Sequence, residues 1–270
     1  FVLGNQRTPN DATPAMTVEA EQYNMIVRLL DNGAPVQLRL ELGVRYHDSD
    51  TNTYNVVAEI PGEDPALGNE IVLLGGHLDS WHSSTGAVDN ADAVSSLIEA
   101  MRILKAVGAH PRRTIRLALW SGEEEGLLGS AAYVKEHLAG DANAAARDAL
   151  AVYLNDDPGG GPTYGFYMEN NPAAKTIFDA WLAPLRDSGM KKNVIGGLTN
   201  TDHLSFTRLG LPGFSTIKYY IEHDTPTHHT NVDDYERGNE ADLKQSAIVM
   251  AVFAYHAAMR AEKIPRTSCS

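Results

Sequence analysis

The stretch Ile71-Val72-Leu73-Leu74-Gly75-Gly76-His77-Leu78-Asp79 decides the fold of this chain. Four consecutive apolar residues followed by two glycines are typical of a strand that is buried on both faces of a parallel sheet. His77 and Asp79 come next, and on an extended chain their side chains point to the same side. Ligands of open α/β sheets bind beyond the carboxyl ends of the strands. The stretch therefore predicts an α/β fold with a polar site at the end of a buried strand.

Strands and helices alternate on either side of this stretch. Apolar runs predict further strands at 36–44, 54–60, 114–120, 149–154 and 214–220. Apolar residues at helical spacing predict helices at 18–31, 94–104, 127–137, 177–185 and 243–257. The run at 36–44 alternates with polar residues, which suggests a mixed sheet. We expect one α/β domain at 17–270, with a central mixed, mostly parallel β-sheet flanked by helices on both faces, and an N-terminal tail or linker from a missing upstream segment at 1–16.

The composition excludes several classes of protein. The chain has 270 residues, and 35 acidic against 22 basic side chains give a formal net charge of −13, which disfavours binding to nucleic acid. Hydrophobic residues make up 43%, too many for a disordered chain. Cys269 is the single cysteine, so no internal disulfide can form. The longest uncharged stretch, 245–259, is shorter than the roughly 20 residues of a membrane-spanning helix. We therefore expect no nucleic-acid partner and no membrane span.

Polar clusters also stand at the ends of other predicted elements. These clusters are Gly86-Ala87-Val88-Asp89-Asn90, Ser121-Gly122-Glu123-Glu124-Glu125-Gly126, Asn155-Asp156-Asp157-Pro158-Gly159, and His228-His229-Thr230-Asn231-Val232-Asp233 with His223 before it. Each has an ordinary explanation as a helix cap, a solvated loop or a turn. Together they bring imidazoles and carboxylates to one edge of the sheet. Such ligands favour zinc, with Mn²⁺ or Co²⁺ as possible substitutes, and about five ligands including one able to bridge predict two metal ions.

These motifs resemble those of the co-catalytic di-zinc exopeptidases, the family that includes bacterial secreted aminopeptidases and plasma glutamate carboxypeptidase. The matching segments are 75–80, 86–90, 120–130, 201–203 and 229–230, in the family's order over about residues 17–260. The resemblance implies a zinc-exopeptidase fold of the phosphorylase/hydrolase type. It also implies two Zn²⁺ ions per chain and a peptide substrate.

The resemblance further implies a role for each matching residue. The implied metal ligands are His77 and Glu124 for one zinc ion, Asp157 and His229 for the other, and Asp89 as a bridge between the two. The implied catalytic residues are Glu123, as general base for a water held by the zinc ions, and Asp79, as the group that holds the ring of His77.

Three positions leave their roles open. Asp156 precedes Asp157 where the family usually has an apolar residue, so Asp156 is an alternative ligand. His228 stands where the family often has a tyrosine that stabilises the oxyanion, and an imidazole can donate the same hydrogen bond. Tyr219 or Tyr220 is the alternative donor. Asp202 lies in a matching segment and is a candidate substrate residue.

The function that the resemblance implies best is an aminopeptidase. A dipeptidase or carboxypeptidase on the same metal core is the alternative, and a non-catalytic, receptor-like relative is a third possibility. Glutaminyl cyclases share the general fold, but the presence of His77 disfavours them because they use one zinc ion. The sequence has no Gly-x-Ser-x-Gly, P-loop or His-Glu-x-x-His motif. The resemblance also implies an extracellular or periplasmic location and an upstream protease-associated domain.

Overall fold

The computed structural model describes residues 18–43, 49–157, 159–219 and 227–267. The chain divides into two compact units, residues 1–52 and 53–270. The predicted tail at 1–16, together with Thr17, Val44, Tyr220 and His223, lies outside the described residues. The boundary at residue 17 therefore stays a prediction.

The first unit contains helix α1, Ala20–Asp31, as the apolar spacing predicts. The predicted strand that follows is wrong over its described part, because residues 36–43 form no strand. Leu38, Leu40 and Leu42 alternate along the chain but are all exposed. Alternation of apolar and polar residues indicates that one face of an extended segment can be buried. A strand also requires backbone hydrogen bonds to a neighbouring strand.

The second unit is built on a mixed sheet of six strands. The strands are β1 Val56–Ile60, β2 Ile71–His77, β3 Thr114–Trp120, β4 Leu150–Asn155, β5 Thr163–Phe166 and β6 Gly213–Lys218. Their spatial order is β1-β3-β2-β4-β6-β5. The four central strands are parallel, while β1 and β5 pair antiparallel at the two edges. The expected mixed, mostly parallel sheet is therefore confirmed.

Helices cover both faces of the sheet. They are α2 Asp92–Ala106, α3 Leu128–His137, α4 Ala144–Ala149, α5 Pro172–Leu182, α6 His203–Thr207 and α7 Glu240–Met259. Val72 and Leu74 of β2 belong to the larger apolar core, with side chains of α2, α5 and α7. Leu73 points to the other face and packs in a second core with α3 and α6. The continuous apolar run of β2 is thus explained, since both faces of that strand are buried.

The strand order brings the polar clusters of the sequence to one edge. The carboxyl ends of β2, β3, β4 and β6 all lie at the same edge, because these strands are parallel neighbours. The sequence did not predict β5, α4 or α6, which have four to six residues each and show no clear periodicity. Among the described residues, no helix has both the length and the apolar character needed to cross a bilayer.

Candidate metal centre

The first half of the centre lies where β2 and β4 end side by side. His77 is the last residue of β2 and is only 1% exposed. Its Nε2 lies 3.0 Å from Asp157 Oδ1, and Asp157 follows β4 by two residues. Gly76 permits this approach, since a Cβ there would lie 2.5 Å from the main-chain oxygen of Asp156. We call His77 and Asp157 the His77 half.

The second half is built from the turn after β3 and the segment after β6. His229 Nε2 lies 2.9 Å from Glu124 Oε2. Trp81 Nε1 donates a hydrogen bond to the same carboxylate oxygen at 2.8 Å, and its ring packs on His229 with a centroid separation of 5.1 Å. We call His229 and Glu124 the His229 half.

Asp89 joins the two halves. Its Oδ1 lies 3.1 Å from His77 Nε2, and its Oδ2 lies 3.3 Å from His229 Nε2. Asp89 lies in the segment Ala87–Ala91, which directly precedes α2 and has a non-helical backbone at Asp89 and Asn90. The Asp233 carboxylate accepts hydrogen bonds from the backbone N–H groups of Val88 and Asp89, at 2.7 and 3.0 Å. This carboxylate therefore fixes the backbone that presents the bridging side chain.

The pairs of side chains differ from those that the resemblance implied. His77 lies with Asp157, not with Glu124, and His229 lies with Glu124. The strand order allows either partner, because β2 has β4 on one side and β3 on the other, and the His77 Nε2 faces the side of β4. The sequence brings the same five residues together but cannot say which neighbour each imidazole faces.

Asp79 holds His77 in a way that differs from the expectation. The Nδ1–H of His77 donates to the backbone carbonyl of Asp79 at 2.9 Å, whereas the carboxylate Oδ1 is 3.8 Å away. A carbonyl oxygen can only accept, so the proton is on Nδ1 and Nε2 is left for a metal ion. The Asp79 carboxylate instead accepts from the backbone N–H groups of Glu123 and Glu124, both at 3.1 Å. Asp79 thus orders the turn that carries both glutamates.

The three open positions are now placed. The Asp156 side chain turns away from the centre towards Thr216, whose hydroxyl donates to it at 2.7 Å, so Asp157 is the residue at the centre. The ring of His228 contacts that of His229 at a tilt of 49°, with a centroid separation of 4.0 Å, and His228 has a potential ligand atom near Asp89. Asp202 is fully buried.

Comparison with known proteins identifies the family. The sequence profile of Peptidase family M28 matches residues 55–254, which include every side chain of the centre. The chain belongs to peptidase family M28.

Relatives of this M28 chain include enzymes of both exopeptidase types. Carboxypeptidase Q of Rattus norvegicus is 29% identical over 258 residues, which cover 94% of this chain and 52% of the relative. The crystal structure of a peptidase M28 precursor from Shewanella amazonensis is 31% identical with a TM-score of 0.70, covering 80% of this chain and 47% of that one. A zinc aminopeptidase from Bacillus subtilis shares the fold at 23% identity, with a TM-score of 0.62 and coverage of 76% and 50%. The chain spans about half the length of the relatives it matches.

The electrostatics of the M28 centre fit a bound cation. Burial alone would lower the pKa of His77, but the neighbouring carboxylates of Asp157 and Asp89 outweigh it and raise this pKa well above its usual range. Burial also opposes the charged form of His229, yet the carboxylates of Asp89 and Glu124 raise its pKa to about 9. Without a metal ion, the carboxylates therefore favour the protonated, positively charged form of both imidazoles. A bound metal ion would supply this positive charge instead.

The donor atoms fit zinc in particular. Two imidazole nitrogens and three carboxylates are ligands that Zn²⁺ binds readily. Glu124 Oε1 is buried and has no hydrogen-bond partner among the described residues, although a buried carboxylate oxygen is normally paired. Burial, and next the charge of Asp157, raise the pKa of Glu123. The same two causes raise the pKa of Asp202 to about 7. A cation at the centre would relieve this crowding of negative charge.

Sequence reasoning missed two positioning residues of this centre. Trp81 holds Glu124, and Asp233 holds the backbone of Asp89. Trp81 follows the motif of residues 75–80 directly, and Asp233 closes the quoted cluster 228–233. Their distance along the chain to the residues they contact, 43 and 144 positions, gives no local signal.

Proposed function

We propose that the chain is a metal-dependent exopeptidase that holds two Zn²⁺ ions and removes amino-terminal residues from peptides. One observation carries this proposal: the two oxygens of Asp89 face His77 and His229 separately. A carboxylate between two imidazole–carboxylate pairs supports a pair of metal ions, because each pair could bind one ion and the shared carboxylate could bind both. His77 would share one metal ion with Asp157, and His229 would share the other with Glu124.

The chemistry that Zn²⁺ supplies when bound is Lewis acidity, which lowers the pKa of water towards neutrality and polarises a carbonyl group. Glu123 is the proposed general base. Its backbone N–H is held by Asp79, and its carboxylate lies close enough to Asp157 and His77 to be affected by their charges. In this position it could accept a proton from water and pass it to the leaving amine. Asp157, beside it, would remain a ligand throughout.

His228 and Asp202 are the proposed substrate residues. His228 lies against His229 at the edge of the centre, and its imidazole could donate a hydrogen bond to the developing oxyanion. Replacement of His228 by alanine should lower kcat/KM by more than a few-fold at unchanged zinc content. A change within a few-fold would remove His228 from this role.

A carboxypeptidase or dipeptidase activity is the second candidate. The relative that spans 94% of this chain is named carboxypeptidase Q, which favours it. Two blocked peptides separate the candidates. An aminopeptidase should cleave a peptide with an amidated carboxyl terminus and leave one with an acetylated amino terminus intact. The reverse result identifies a carboxypeptidase, and a dipeptidase should cleave neither.

Zinc content separates an enzyme from a non-catalytic relative. We expect about two zinc ions per chain, whereas a relative without activity should hold close to none. All five proposed ligands and Glu123 are present, which supports the enzyme. The location outside the cytoplasm and the upstream protease-associated domain stay predictions from the resemblance.

A further inference from the structure

A buried pair of opposite charges lies next to the centre. Lys218, the last residue of β6, is 2% exposed, and its ammonium group lies 3.3 Å from Asp156 Oδ1. It also donates a hydrogen bond to Ser246 Oγ of α7 at 3.1 Å. Asp156 is fully buried and also accepts a hydrogen bond from the Thr216 hydroxyl. Burial of either charge alone is costly, so each depends on the other.

Asp156 connects this pair to two segments that carry proposed ligands. It directly precedes Asp157 in the chain. Its backbone carbonyl accepts a hydrogen bond from Asn90 Nδ2 at 3.2 Å, and Asn90 directly follows Asp89. A shift of Asp156 would therefore move a ligand of the His77 half and the bridging residue together.

Asp92 extends the cluster on the side of α2. Its Oδ2 accepts a hydrogen bond from the backbone N–H of Gly160 at 3.1 Å, while Oδ1 is buried without a hydrogen-bond partner among the described residues. Burial raises the pKa of Asp92 to about 7 against the opposing effect of the Lys218 ammonium group. Asp92, Lys218 and Ser246 line one cavity of about 260 Å³. The cavity leaves room beside the ammonium group for a small molecule.

We propose that Lys218 is a positioning residue of the metal centre, whose ammonium group holds Asp156 by both its charge and its position and thereby fixes Asp157 and Asp89 in the geometry that binds zinc. The proposal rests on the proposed di-zinc function. Lys218 acts through another residue, as do many groups that lie behind metal ligands.

The test compares zinc affinity in the wild type and in Lys218→Ala, measured by competition with a chromophoric chelator. We expect the variant to bind zinc about 10–100-fold more weakly, the range found when supporting residues of metal ligands are removed. The visible spectrum of the Co²⁺-substituted protein should change as well. Lys244→Ala is the matched control, since Lys244 is an exposed lysine of the same helix as Ser246 and should leave both readouts unchanged.

Chemical rescue separates positioning from general damage. Propylammonium chloride should restore zinc affinity in Lys218→Ala, because its ammonium group can enter the cavity and donate to Asp156. Tetramethylammonium chloride at equal ionic strength has no N–H group and should restore nothing. An affinity equal to that of the wild type, or a loss that both salts leave unchanged, would overturn the proposal.

Lys218→Arg covers the case in which the alanine variant does not fold. Arginine keeps the charge, and the cavity can accept its larger head group, but its planar donors cannot reproduce the ammonium position. We expect a melting temperature of the metal-free protein near that of the wild type and a shifted Co²⁺ spectrum. An unshifted spectrum would contradict positioning. Wild-type protein that binds no zinc would overturn the proposed function itself, whereas zinc binding that Lys218→Ala leaves intact would overturn only the role of Lys218.

Discussion

The two halves of the centre are built by different means. His77 is the final residue of a central strand and is 1% exposed, so sheet pairing and burial fix its position beside Asp157. His229 lies outside any strand, with a positive φ of 56° and a side chain that is 12% exposed. Side-chain contacts with Trp81 and Glu124 hold it in place. The His77 half is thus a product of the fold, whereas the His229 half depends on a few side-chain contacts.

The largest expected effect on activity comes from replacing Glu123, which belongs to neither half. Glu123→Gln should retain the zinc content of the wild type and lower kcat by about 10²–10⁴-fold, since it removes the proposed proton acceptor. Activity assays with metal analysis on the same sample check this. Glu136→Gln is the control, because Glu136 is an exposed residue of α3 and should have little effect. Loss of metal in proportion to activity would instead make Glu123 a ligand.

Removal of one imidazole at a time tests the comparison directly. His77→Ala and His229→Ala should each lower the zinc content from about two to about one per chain. His77→Ala should also lower the melting temperature more, because it opens a cavity at a fully buried position. Calorimetry of both variants, with the exposed His110→Ala as control, measures this. Equal melting temperatures would show that the two halves do not differ in rigidity.

Metal removal should make stability depend on pH. In the metal-free protein the pKa of His229 is raised to about 9 from a usual value of 6.5. The stabilisation from its protonated form is therefore complete below pH 6.5 and is lost as pH rises through 9. His77, whose pKa is also raised, acts in the same direction. We expect the melting temperature after chelation to fall over this range, and the zinc-loaded protein to change much less. A metal-free protein that becomes more stable with rising pH would contradict this account.

The smallest expected effect concerns the support of the His229 half. Trp81→Phe removes the hydrogen bond to Glu124 but keeps an aromatic ring against His229. We expect one zinc ion to bind about tenfold more weakly and the other to bind normally. Stepwise zinc titration resolves the two affinities, with His82→Ala, at the exposed neighbouring residue, as control. Equal weakening of both ions would mean that Trp81 supports the centre as a whole.

The fold was predictable where burial leaves a pattern in the sequence. The apolar runs of β2, β3, β4 and β6 and the periodicity of α7 each survive as elements in the structure. The run at 36–44 misled, because alternation does not reveal whether a partner strand is available. Strand β5 was missed because Thr163–Phe166 has only four residues and contains Gly165.

The candidate site was predictable in its members but not in its contacts. Polar residues at strand ends predicted His77 and Asp157, because a charged group there has no place in a core. The partner of each imidazole depends on side-chain direction at an edge where several strands end together, which the sequence does not encode locally. Trp81 and Lys218 escaped notice for a similar reason, since a tryptophan in a loop and a lysine at the end of a strand are ordinary at the level of sequence.

Anomalous diffraction at the zinc edge from crystals of the zinc-loaded protein would show directly whether the chain holds a pair of zinc ions. We expect two peaks about 3.5–4 Å apart. One should lie between His77 and Asp157, the other between His229 and Glu124, with an oxygen of Asp89 at each. A single peak, or none, with the Asp89 carboxylate turned away from either imidazole would contradict this expectation.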